Sequence, residues 1–258
     1  MADWQGASQT KPLIVEPDAD QEIVAFGMAI FDGIKPLAYH SHRGLIARLA
    51  RDYGPGNLWL LPIVERMPYP FAIFHAIDCM FETEKACGRR ADWFFWLDDD
   101  VVIPPDTVAK LIAAADPVER PFVAAVGYDR NWPHKPAVWT EQKIGETTQM
   151  WRLGKIPDTG VHKVGYTGLT AALFHRSLFD KVSEPWFAVA PPIHAPANDQ
   201  INGMNPDIWW CEQMERAGVP VHICCDIDVY HLGAPMASGR TTARIMRDLN
   251  RAGRKEPA

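Results

Sequence analysis

The sequence predicts an α/β protein: a mostly parallel central sheet flanked by helices, with a β-hairpin-rich insertion in its second half. Three observations carry this. Short apolar runs alternate with stretches of helical periodicity through the first half, the pattern of strand–helix–strand units that pair in parallel. The run Trp93-Phe94-Phe95-Trp96-Leu97 is apolar without alternation, as in a strand covered on both faces. It ends on Asp98-Asp99-Asp100, and carboxylates at the carboxyl end of such a strand lie where open α/β sheets bind ligands. Three adjacent like charges repel, so keeping them ionised there calls for a cation. A divalent metal carrying a phosphorylated substrate meets that need.

Taken in order, residues 1 to about 20 are polar and proline-punctuated, a loose arm. Ile23–Phe31 reads as the first strand. Pro36 and Gly44 bracket a loop, and Leu45, Ile46, Leu49 and Ala50 have helical spacing up to the breaker Gly54-Pro55-Gly56. Leu58–Val64 is a second strand. Phe71, Phe74, Ile77 and Phe81 mark a helix running to Gly88. After the third strand, Asp106 is a candidate N-cap for a helix carrying Val108, Leu111 and Ile112. Phe122–Gly127 is a fourth strand. Residues 130–165 hold short β-like pieces; Thr170–Phe174 is a strand, and Arg176–Val182 a short helix. The proline-rich stretch 183–206 is a long loop, of the kind that forms lids or binding loops. Asp207–Ala217 is a helix stopped by Gly218, and Val219–Ile227 a final strand before His231-Leu232-Gly233.

Composition narrows the class. The chain has 258 residues, 47% of them hydrophobic, enough for one large domain with a substantial core. A net charge of -6 argues against binding nucleic acid polymers, though not against a nucleotide held through a metal. The stretch from Ser238 is basic on this acidic body, with Arg240, Arg244, Arg247, Arg251, Arg254 and Lys255. It reads as a solvated helix or a contact for an anionic membrane surface. No run is apolar and long enough to span a bilayer, and the first residues do not resemble a secretory signal. Five cysteines without regular spacing read as reduced thiols in a cytoplasmic protein rather than a zinc site.

Three ordered blocks carry a family resemblance: WFFWLDDDVVIPPDTVAKLI (93–112), VGYTGLTAALFHRSLFDKV (164–182) and NPDIWWCEQMERAGVPVHICCDIDVYHLG (205–233). Together they resemble a GT-A-fold glycosyltransferase (the nucleotide-diphospho-sugar transferase fold), close to the family-2-like group. The resemblance implies a catalytic domain over 21–237, with a nucleotide-binding half at about 21–127 and a donor/acceptor half at about 128–237. It departs in two places: Phe74-His75-Ala76-Ile77 lacks the Arg-Asn pair of the second helix, and Pro206-Asp207 supplies one carboxylate where the family often has two.

By that resemblance the donor is a UDP- or GDP-linked sugar and the acceptor an unidentified hydroxyl. Asp98 contacts the ribose or a metal-bound water, Asp100 ligates the metal, and His231 completes it, so Asp98, Asp100 and His231 form the metal set. A carboxylate–imidazole set suits Mn²⁺ more than Mg²⁺. Asp99 turns toward the sheet or the donor sugar. Asp207 maps to the general base, with an N-cap role as the competing reading and Glu212 in reserve. Gly168 allows close approach of the donor. Trp209 or Trp210 stacks on a sugar, the other packing in the core. Glu65 contacts the nucleotide or is a solvated loop charge, and Arg240 reaches the diphosphate or is solvated. The competing classes are a nucleotidyltransferase of related fold, disfavoured by the glycine-poor loop 31–36, and a catalytically silent carbohydrate-binding protein.

Overall fold

The structure, a computed structural model, describes residues 18–31, 33–129, 134–144, 146–189 and 206–232. Along the chain, β1 (Val24–Ile30) leads into α1 (Pro36–Asn57), β2 (Leu58–Leu60), β3 (Val64–Glu65) and α2 (Tyr69–Cys87). Then come β4 (Trp93–Asp98), β5 (Val101–Val102), α3 (Thr107–Ala114) and β6 (Phe122–Ala125). The strands β7 (Val138–Ile144), β8 (Thr147–Arg152), β9 (Val161–Val164), β10 (Tyr166–Thr167) and β11 (Ala171–His175) follow. The short α4 (Leu178–Lys181), α5 (Pro206–Arg216), β12 (Val221–Cys224) and β13 (Tyr230–His231) complete the described chain.

The large sheet has the order β2-β1-β4-β11-β6-β12-β9, with β3 also on β1. β1 runs parallel to β2, β3 and β4, and β12 parallel to β6. β11 is antiparallel to both neighbours, β4 and β6, so those two point the same way. The sheet is thus mixed but mostly parallel. The carboxyl ends of β1, β3, β4, β6 and β12 share one edge with the start of β11.

Both faces of the sheet are covered, which is why β4 shows no alternation. Phe94 and Trp96 join Phe122, Ala124, Ala172 and Phe174 under α2, α4 and α5. Trp93, Phe95 and Leu97 join Val123, Ala125 and Leu173 over α1 and α3. Aromatic rings interlock on the first face: Phe94 lies 5.6 Å from Phe174, which lies 5.4 Å from Trp210. Each such ring, buried, contributes about 1.5–3 kcal/mol of hydrophobic free energy. The insertion forms a three-stranded sheet of order β10-β7-β8, while β9 closes the edge of the large sheet.

Several sequence expectations change. Residues 36–44 are not a loop: α1 starts at Pro36, whose fixed φ suits a first helical position, and Gly44 is accommodated on its exposed side. Gly54, at φ 69 and ψ 173, does break the helix. The second strand splits into β2 and β3 around Pro62, which has no N–H for a ladder. Asp106 precedes α3 but makes no capping bond; its carboxylate pairs instead with Lys110, 3.1 Å away. Gly88 and Gly218 end α2 and α5 with φ of 70 and 69, as their place in the sequence predicts.

Gly27 sits where β1 meets α2. A Cβ there would lie 2.8 Å from Phe94 Cε2 and 3.2 Å from Ala76 Cβ. Gly27→Ala therefore costs about 1–3 kcal/mol by overpacking, measured by urea unfolding, and Phe94→Leu in the same chain recovers part of the loss.

Candidate active site

The three aspartates diverge at once because the chain turns as β4 ends. Asp98 Oδ1 accepts the Trp96 indole N–H at 3.1 Å, two residues back on the same face, and its own N–H donates to Thr170 O at 3.0 Å. This holds Asp98 on the α2/α5 side. Asp99 Oδ2 accepts the Phe31 N–H at 3.2 Å, so it closes the end of β1. Asp100 Oδ1 lies 3.0 Å from His231 Nε2, and Asp100 O accepts the Leu232 N–H at 2.7 Å. One triplet thus serves three separate places.

On the Asp98 side stands Asp207, the second residue of α5. Its Oδ2 accepts the Leu169 N–H at 3.3 Å, just before β11. The Tyr69 ring, at the start of α2, packs edge-on to Trp96 at 6.0 Å, with its buried hydroxyl near Asp207 but outside hydrogen-bond geometry. Burial raises the Asp207 carboxyl to about 6, with the Leu169 N–H and Tyr69 hydroxyl holding it back. Burial, then the charges of Asp207, Asp100 and Asp99, pushes Asp98 well above the usual carboxylate range, and the Trp96 N–H opposes this. A missing Cβ at Gly168 matters here: it would meet Ala137 Cβ at 3.3 Å and Asp207 Oδ2 at 3.6 Å. Protein atoms from Ala137 and Asp207 approach Gly168 closely.

Asp100 and His231 meet because β5 and β13 pair antiparallel, Tyr230 opposite Val102 and His231 opposite Val101. His231 Nδ1 donates to Tyr128 O at 3.0 Å, beyond the end of β6. Nε2 therefore faces the carboxylate, and both side chains are 15% exposed. Among the described residues, no three His, Cys, Asp or Glu side chains gather into a metal-holding group. Of the expected set Asp98, Asp100 and His231, Asp98 bonds the Trp96 indole, while the structure brings Asp100 and His231 into contact. That pair joins a carboxylate oxygen to an imidazole nitrogen, a donor combination that Mn²⁺ accepts readily.

The remaining expected residues are less central. Asp207 is not an N-cap, since it lies within α5 and bonds Leu169 instead. Trp209, two residues on and so about 200° round a helix from Asp207, points away; its indole donates to Pro185 O at 2.8 Å. Trp210 is core, stacked on Phe187 at 5.2 Å. Glu212 is buried on the side of Tyr166, whose hydroxyl donates to Glu141 at 2.6 Å. Glu65 is exposed at the rim, where β3 pairs with Ile30 of β1. Arg240 and the basic tail lie outside the described residues, as do 131–133 and 190–205.

Sequence reading missed Tyr69, and also His42 and Lys35. His42 Nε2 donates to Val101 O at 2.9 Å, and Lys35 Nζ donates to Leu232 O. A signal existed for His42: it shares a helical stripe with Ala38, Leu45 and Leu49, once the helix is begun at Pro36.

No family model matches the chain, and no curated protein does. Among solved structures, it is similar to A197 from STIV at 16% identity, over 81% of this chain and 85% of that one, with a TM-score of 0.48. It is also similar to a glycosyltransferase involved in the glycosylation of the major capsid of PBCV-1. There the identity is 14%, over 64% of this chain and 69% of that one, with a TM-score of 0.33. Both are distant likenesses of fold. Among the described residues no helix is long and apolar enough to cross a membrane.

A carboxyl raised from 3.8 to about 6 by folding binds its proton more tightly in the native state. Native stability from this group is then present at low pH and is lost as pH rises through that interval. Asp207→Asn, which keeps an acceptor for Leu169, raises stability at pH 8 by about 1–3 kcal/mol. The gain shrinks toward pH 4. Thermal melts of both proteins across this range check it.

Proposed function

We propose that the chain is a metal-dependent glycosyltransferase of GT-A fold, moving a sugar from a UDP- or GDP-linked donor to an acceptor hydroxyl. One observation carries this reading: Asp98, Asp207 and the Asp100–His231 pair, from three distant segments, all lie at the carboxyl edge of the parallel strands, with Asp98 near enough to Asp207 and Asp100 to feel their charges. Ligands of open α/β sheets bind at that edge, and the concentrated negative charge there suits a cation-bound diphosphate.

In this reading Asp100 Oδ1 and His231 Nε2 would hold a divalent ion, Mn²⁺ in preference to Mg²⁺. The ion, when bound, neutralises charge on the departing diphosphate. Asp207 takes the proton of the acceptor hydroxyl. A carboxyl near 6 is close enough to neutral pH to be both ionised and basic, which a solvated aspartate at 3.8 is not. The Leu169 N–H orients Asp207 through its Oδ2. Asp98, held by Trp96, orients the donor beside it. Burial raises both carboxyls, and at Asp98 the nearby carboxylates of Asp207, Asp100 and Asp99 add to it; holding them ionised costs stability that a bound cation would relieve.

UDP or GDP with Mn²⁺ raises the melting temperature by about 5 °C at saturation. Asp100→Ala and His231→Ala lose that shift. Asp207→Asn keeps it and loses sugar transfer, with activity in the unaltered protein rising between pH 5 and 7. Absence of any shift with every nucleotide and divalent ion tested sinks the reading.

A further inference from the structure

The pair Asp100–His231 is carried by a ribbon of only two residues on each strand, β5 and β13. Two-stranded pairings this short are not stable alone. The first turns of α1 grip the ribbon at three levels. Lys35 Nζ donates to Leu232 O, next to His231. His42 Nε2 donates to Val101 O at 2.9 Å, next to Asp100. Ser41 closes a reciprocal pair with residue 103: its hydroxyl donates to Ile103 O at 2.8 Å and accepts the Ile103 N–H at 2.9 Å.

His42 is the informative member. It is 2% exposed and lies on the same buried stripe as Ala38, Leu45 and Leu49, where an apolar side chain packs best. Its Nδ1 has no hydrogen-bond partner among the described residues. A buried ring with one orphaned nitrogen costs stability that a Leu or Phe would not. What the histidine supplies in return is a rigid donor at the reach needed for Val101 O.

We propose that His42 is a positioning residue: by holding Val101 O it fixes the β5–β13 ribbon and so the spacing of Asp100 Oδ1 and His231 Nε2. The effect on metal rests on the reading of that pair as a cation site; the effect on the ribbon does not. Groups that orient a ligand from behind often change metal affinity while leaving the fold intact.

The test uses the full chain with His42→Phe, His42→Gln and, as a control for lost packing on the same stripe, Leu49→Ala. Two quantities are read: hydrogen exchange of the Leu232 amide, which donates to Asp100 O, and Mn²⁺ affinity by electron paramagnetic resonance. His42→Phe speeds exchange of that amide about tenfold while β1 and β4 amides are unchanged. It also weakens Mn²⁺ about tenfold or more. Glutamine, whose amide N–H₂ reaches as far as Nε2, restores both. Leu49→Ala lowers the melting temperature and leaves Mn²⁺ affinity alone. The proposal is overturned by wild-type exchange and affinity in His42→Phe, or by equal weakening in Leu49→Ala. If His42→Phe does not fold, Ser41→Ala must show the faster Leu232 exchange, or the clamp fails. In a protein that takes no Mn²⁺ the metal reading fails, and the exchange result alone upholds or overturns the role of His42.

Discussion

Strand β4 lies between β1 and β11 with helices above and below, so from Trp93 to Leu97 its side chains have no route to water. Polar groups must wait until the strand leaves the sheet, and the first position that can hold one is Asp98. Placing three carboxylates at that exit concentrates negative charge against the least polar part of the molecule. Much of the site's chemistry follows from this: the raised carboxyls, the indole bond to Asp98 and the imidazole against Asp100.

The way the charge is spread is a matter of separate supports. Trp96 draws Asp98 toward α2 and α5, the Phe31 N–H draws Asp99 back to β1, and His231 draws Asp100 toward β13. Each partner comes from a different part of the fold. Mutual repulsion is reduced by divergence rather than by burying a fixed counter-charge. Asp207 enters the same field from α5, where the Leu169 N–H holds its Oδ2.

Different parts of the site were legible to different degrees. The strand-end aspartates, Asp207 and His231 could be picked out as candidates from order and residue type, because strand, acid and His-x-Gly each leave a local mark. The partition of their roles could not. Trp96 reads as core until its indole is seen to reach Asp98; Tyr69 reads as the start of a helix; His42 was hidden by a glycine at 44 that suggested a loop. Trp209 stands apart from Asp207 despite being close in sequence, since two residues along a helix lie on opposite faces, and its indole bonds Pro185 O.

Local chemistry therefore determined the existence and kind of the main elements: both-face burial in the apolar run of β4, helix stops at Gly88 and Gly218, and acids where the strand must end. Tertiary structure decided which acids share a space. That depends on β11 inserting antiparallel between β4 and β6, and on β13 returning to pair with β5. Side chains separated by more than a hundred residues then fall within 3.0 Å, as Asp100 and His231 do. Periodicity along the chain holds no record of such meetings, because they are set by how the layers pack and not by neighbours in sequence.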